Sequence, residues 1–188
     1  MQILTERLLI RPYRAEDAPH LHEAVQTSLG SVGRWLPWCH AGYSLDDARQ
    51  WIARCEAAQE QGSAYDLGVF LHDSGDFCGS VAINQIDPAV GCGNIGYWIR
   101  QDQQGQGLAS EAARAIIIFG LRDLGLKRME IVVAVGNQPS QRLAERLGAT
   151  FEGVSRDRLQ LGDRPADAWV YVISGDIPPT LSPQATPR

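Results

Sequence analysis

The spacing of apolar and polar positions changes along this chain in an order that sets out its elements. Arg7 to Pro12 reads as a first strand and Glu16 to Thr27 as a first helix. Ser44, with Asp46 and Asp47 placed for the helix dipole, signals a second helix running to about Gln61. Three strands follow, Tyr65 to His72, Phe77 to Ile86 and Asn94 to Arg100, with turns at Asp73-Ser-Gly-Asp76 and Pro88-Ala-Val-Gly-Cys-Gly93. Ala109, Ala112, Ala113, Ile116, Ile117 and Gly120 then recur at helical spacing and predict a third helix from near Gly107 to about Leu124. Met129 to Val135 is a buried strand, Ser140 to Leu147 a short helix, and Phe151 to Leu161 with Ala168 to Ile173 a hairpin turned at Gly162-Asp163.

This order is an α+β pattern in one domain, residues 1–175. The strand, helix, strand succession around the third helix requires a parallel pair joined by a right-handed crossover. From Asp176 to Arg188 the chain holds four prolines and almost no apolar side chains, so a mobile tail is expected.

Chemistry concentrates where the strand ending at Arg100 breaks into Gln101-Asp-Gln-Gln-Gly-Gln-Gly-Leu-Ala109 and opens the third helix. Gly105 and Gly107 let the backbone approach a ligand, and unpaired N–H groups of the first helical turn face an anion. Three loops compete. A nucleoside triphosphate loop needs Gly-Lys-Ser/Thr, and Gly107 is followed by Leu108. A dinucleotide loop would put Ser110 where Gly or Ala is normal, and the next strand ends at Val135-Gly136-Asn137 without the ribose-binding acid. Gln104-x-x-Gly107-x-Ala109 matches the third, a pyrophosphate loop of the pattern (Gln/Arg)-x-x-Gly-x-(Gly/Ala).

That loop resembles the one in GNAT acetyltransferases, and other segments resemble the Rim-type branch, the N-terminal acetyltransferases of ribosomal proteins. They are Leu4-Thr-Glu-Arg-Leu-Leu-Ile-Arg-Pro12 with Glu16-Asp17-Ala18, then Ile95-Gly-Tyr-Trp98 and Ser110-Glu-Ala112 around the loop. Asn137-Gln-Pro-Ser140 follows, with Leu147-Gly148 and Phe151-Glu-Gly153 after it. The resemblance implies a GNAT fold, a mixed and mostly antiparallel sheet splayed at the CoA site with flanking helices. It also implies acetyl-CoA as co-substrate.

By that resemblance the main chain of Tyr97, Trp98 and Ile99 serves the pantetheine arm, and the N–H groups of Gln104, Gly105, Gln106, Gly107, Leu108 and Ala109 serve the pyrophosphate. Asn137 would reach the pantetheine or its neighbouring backbone. Many family members carry a tyrosine acid seven residues after that Asn; here the position is Ala144. Ser140 resembles the Rim-type serine that protonates the leaving thiolate, and by its residue type it is equally an N-cap. Asp66 and Asn84 are the candidates beside the acceptor amine, where a general base is needed. Trp35, in Trp35-Leu-Pro-Trp38, is a candidate lid over the acceptor. Glu16-Asp17 and Asp46-Asp47 read as helix starts.

The reaction implied is acyl transfer from a thioester to an amine, on a protein N-terminus or a small molecule. An α-amine with pKa near 8 is readily neutral at pH 7, whereas a lysine near 10.4 costs about 4.6 kcal/mol to deprotonate. A weak base therefore suffices for the former. A CoA-binding module without catalysis is the competing class, and Ala144 is the feature that keeps it in view.

Composition narrows the partners. The 188 residues carry a net charge of −5, with no basic cluster for a nucleic-acid backbone. Cys39, Cys55, Cys78 and Cys92 show no Cys-x-x-Cys spacing and the four histidines form no zinc-type pair, so no metal is expected. With no apolar span long enough for a bilayer and no cleavable signal at the start, a cytoplasmic location with reduced thiols is expected. A homodimer is compatible with the resemblance.

Overall fold

The computed structural model describes residues 1–175; the segment expected to be a mobile tail lies outside the described residues. Eight strands form one sheet: β1 (Ile3–Leu4), β2 (Leu8–Pro12), β3 (Tyr65–Leu71), β4 (Phe77–Asp87), β5 (Cys92–Ile99), β6 (Arg128–Ala134), β7 (Thr150–Leu161) and β8 (Arg164–Ser174). Their spatial order is β1-β2-β3-β4-β5-β6-β8-β7, antiparallel throughout except for the β5–β6 pair. Four helices flank it, α1 (Ala18–Thr27), α2 (Leu45–Glu60), α3 (Leu108–Arg122) and α4 (Gln138–Arg146).

The two-residue period of the strands divides the core. Leu67 and Val69 of β3, Val81 and Ile83 of β4, Ile95 and Ile99 of β5 and Met129, Ile131 and Val133 of β6 pack with α3 and α4. Phe70 and Phe77 face the other way, with α1 and α2. α2 starts as its sequence demands: Ser44 Oγ accepts from Asp47 N, and Asp47 Oδ2 in turn accepts from Ser44 N.

Several boundaries differ from the sequence reading, three of them by more than a shift at an element's end. A two-residue β1 precedes the first strand, too short to leave a hydrophobic pattern. Helix α1 begins at Ala18 because Ala15–Asp17 is a 3₁₀ turn. Asp17 is more than a helix start: its buried carboxylate pairs in bidentate fashion with Arg11, at 2.7 and 2.9 Å, and accepts Arg14 N. Strand β8 starts at Arg164, before the apolar run at Ala168, because backbone pairing with β7 extends to the Gly162 turn whatever the side chains.

The functionally decisive feature is where pairing stops. Strands β5 and β6 share only the registers Cys92↔Arg128, Gly93↔Met129 and Asn94↔Glu130, then diverge. Arg100 N donates to Cys78 O, which fixes the phase of β5. Even-numbered residues bond toward β4, so Tyr97 and Ile99 turn their N–H and C=O groups to the open edge.

Candidate active site

A cleft of about 1270 Å³ occupies this divergence and the sheet face beside it. Five arginines line it, Arg34, Arg54, Arg142, Arg146 and Arg158, against one carboxylate, Asp66. In a chain of net charge −5 the cleft is locally cationic.

One end of the cleft is made of backbone. Beyond β5 a 3₁₀ turn, Gln101–Gln103, leads to Gly107, the N-cap of α3 with φ of 81°, a left-handed conformation suited to glycine. Among the described residues, the N–H groups of Gly105, Gln106, Gly107, Leu108 and Ala109 have no internal acceptor. They form an N–H cluster at the positive end of α3, able to receive a diphosphate.

Gln104 departs from its expected role. Its own N–H points at Gln101 O, and its side chain donates to Ile99 O at 2.8 Å and Ser31 Oγ at 3.3 Å, so it anchors the loop rather than supplying a free donor. Trp98 departs likewise, because its main chain faces β4. Its ring packs against Trp38 and Phe77, at centroid distances of 5.3 and 5.9 Å.

Two of the sequence segments meet behind this loop. Glu111 accepts from Thr5 Oγ1 and from Arg7 N and Nε, and Arg7 Nη1 donates to Gln106 O at 2.8 Å. Burial raises the pKa of Glu111, but the bonds from Thr5 and Arg7 outweigh it and hold the carboxyl below its usual range. Gln106 gives its carbonyl to this support and its side chain to Gln103 Oε1, at 3.1 Å.

Across the divergence, Asn137 is the N-cap of α4, its Oδ1 accepting Ser140 N at 3.3 Å. The capping role considered for Ser140 therefore belongs to Asn137, and helix α4 starts at Gln138. That leaves the Ser140 hydroxyl to Tyr97, whose Oη lies 2.9 Å from Ser140 Oγ. Burial pushes the Tyr97 phenol up to about 12. Ala144 is fully buried in the core.

The sheet face toward α1 and α2 forms the other end. Asp66 of β3 is in register with Ala82 of β4, and Ala82 with Gly96 of β5. Two small residues thus leave a hollow beside the carboxylate. Burial alone raises Asp66 to about 6, and no cation pairs with it among the described residues. Asn84 carries its Oδ1 toward Asn94 Nδ2, 2.9 Å away, so its own Nδ2 is presented to the Gly96 side of the hollow. This is a hydrogen-bond donor, not a proton acceptor.

Trp35 reaches from the α1–α2 connection to the turn after β6, where a Cβ on Gly136 would lie 3.9 Å from its Cη2. Arg34 stacks on its ring at 4.9 Å. Asp66, Asn84, Trp35, Tyr97, Asn137 and Ser140 all line the one cleft. Sequence reasoning missed the Tyr97 side chain, whose apolar neighbours on β5 mark it as core. It also missed the Arg7–Glu111 bracket, legible only as two charges in separate motifs.

A sequence model for the GNAT acetyltransferase domain matches residues 7–150. The chain is 31% identical over 173 residues to the N-acetyltransferase YdaF of Bacillus subtilis, spanning 90% of this chain and 92% of that one. It is 29% identical over 136 residues to the ribosomal-protein-serine acetyltransferase of Escherichia coli, 72% and 75% of the two chains. In fold it matches RimL, a ribosomal L7/L12 α-N-protein acetyltransferase solved with coenzyme A, at a TM-score of 0.86, 24% identity and coverage of 93% and 98%. The diverging parallel pair, the open N–H loop at α3 and these similarities lead to one assignment: the chain belongs to the GNAT acetyltransferase family, in its Rim-type branch, and is an N-acetyltransferase.

Proposed function

We propose that the protein transfers an acetyl group from acetyl-CoA to the α-amine at a protein N-terminus. The observation that carries this reading is that Gly105, Gly107, Leu108 and Ala109 of the N–H cluster and the Asp66 carboxylate line the same cleft. The residues fit the donor. The N–H cluster and lining arginines suit its phosphates, and the main-chain edge at Tyr97, with the Ile99 N–H beside it, suits the amides of its arm. Bound there, acetyl-CoA supplies an activated acyl thioester.

At the acceptor end, Asp66 takes a proton from the incoming ammonium. A carboxyl near 6 is ionised at pH 7 and matches an α-amine near 8 far better than a lysine near 10.4. The neutral nitrogen then attacks the acyl carbon, so that a C–N bond forms and the C–S bond breaks. Ser140, at the N-terminal end of α4, gives a proton to the departing sulfur and regains one from the nitrogen as the amide forms. The proton that Asp66 took from the ammonium passes to solvent, so that one proton is released per acetyl group transferred.

The protein-acceptor reading is supported by the relatives named for ribosomal-protein acetylation. A cytoplasmic location would suit such an acceptor. Incubation with acetyl-CoA, N-terminal peptides and a panel of polyamines and amino acids, followed by thiol release, tests it. Peptides should be the preferred acceptors. Faster turnover of a small amine would replace this acceptor, and CoA binding without transfer to any amine would replace the enzyme with a binding module.

A further inference from the structure

The side chain of Tyr97 has a place that neither the pyrophosphate loop nor the acceptor hollow accounts for. From the unpaired edge of β5 it crosses the divergence and meets α4, with Oη 2.9 Å from Ser140 Oγ and 3.3 Å from Ser140 O. Ser140 is thereby held twice: Asn137 fixes its main chain through the helix cap, and Tyr97 fixes its hydroxyl. Helix α4 itself carries no phenol, with Ala144 buried against the core; the phenol that meets Ser140 arrives from the facing strand. We propose that Tyr97 is a positioning residue that acts through Ser140, its O–H donating to Ser140 Oγ so that the serine proton is turned to the departing sulfur.

The inference rests on the acetyl-transfer reading with Ser140 as proton donor. Tyr97 keeps its own proton throughout. The high phenol pKa agrees with this, because the group remains a donor across the working range. The serine O–H bond breaks as the S–H bond forms, and a serine that already accepts a hydrogen bond gives up its proton more readily.

The test is a double-mutant cycle of Tyr97→Phe and Ser140→Ala, read by single-turnover acetyl transfer to an N-terminal peptide and by calorimetric CoA affinity. Tyr97→Phe should slow transfer about tenfold and leave CoA affinity within about twofold. In the Ser140→Ala background it should change nothing further. An equal loss in both backgrounds, a weakening of CoA binding that accounts for the loss, or no loss at all overturns the proposal. A fluorinated tyrosine at position 97 keeps the shape and donates more strongly, so it should raise the rate; an unchanged rate indicates a mere prop. If the wild type transfers to no amine, or Ser140→Ala is fully active, the underlying reading fails and the proposal with it.

Discussion

The two ends of the cleft are built from different material. On the proposed reading, recognition at the donor end is mostly backbone: N–H groups of Gly105–Ala109 at the start of α3, and the edge of β5 left unpaired by β6 at Tyr97. Side chains there serve as scaffolding, with Arg7, Glu111 and Gln104 holding the loop from behind. At the acceptor end, side chains from separate strands converge on a hollow over Ala82 and Gly96. A backbone site tolerates any side chain that preserves the turn and fails when φ is denied. A side-chain site fails one residue at a time, in rate rather than in binding.

The largest effect should come from denying the donor loop its conformation. Gly107→Asp places a Cβ at a φ of 81° and a carboxylate in the N–H cluster. CoA affinity should fall at least about a hundredfold by calorimetry, with the melting temperature within a few degrees of wild type. Binding that survives would break the donor assignment.

At the other end, Asp66→Asn should lower turnover about a hundredfold, leaving CoA affinity unchanged. In the wild type the logarithm of kcat/KM should fall as pH drops through about 6, because the carboxyl becomes protonated there, and this limb should be absent in the variant. Stability should move oppositely. The folded pKa lies above the model-compound value of 3.8, so the folded state binds the proton more tightly and is handicapped above about pH 6. Asp66→Asn should therefore melt higher than wild type at pH 7.5, with the gap closing toward pH 4.

Ser140→Ala should cost about tenfold in turnover with little change in CoA affinity. Trp35→Ala should raise the peptide KM several-fold and leave kcat nearly intact, which separates a wall of the acceptor site from a part of its chemistry. The smallest effect belongs to the scaffold. Glu111→Gln leaves the Arg7 guanidinium half-buried without its carboxylate and should weaken CoA binding a few-fold, with a stability loss of about 1 kcal/mol.

The same division explains what the sequence made legible. The loop from Gln104 to Ala109 is contiguous, and its chemistry depends on glycine spacing and a helix start, so residue order displays it directly. The cap at Ser44 was readable for the same reason, while the return bond from Ser44 N to Asp47 came only with the structure. Asp66 was found only as one of two candidates, because what singles it out is burial beside Ala82 and Gly96, and those neighbours come from strand register. Asn84 entered as its equal; its Oδ1 accepts from Asn94 Nδ2, ten residues on, which leaves its own Nδ2 on the Gly96 side of the hollow. The contact between Tyr97 and Ser140, 43 residues apart, has no periodicity to announce it. Ser140 looked like a cap because Ser before a helix usually is one, and Asn137 took that place three residues earlier.

The central claim is that one cleft joins a backbone donor site to a carboxylate matched to an α-amine. It is tested most directly by offering acetyl-CoA and a peptide that carries both a free N-terminus and an internal lysine, then locating the acetyl group by tandem mass spectrometry. The account predicts acetylation at the α-amine, one thiol released per acetyl group, and loss of both in Asp66→Asn. Acetylation of the lysine instead, or full activity in Asp66→Asn, would contradict it.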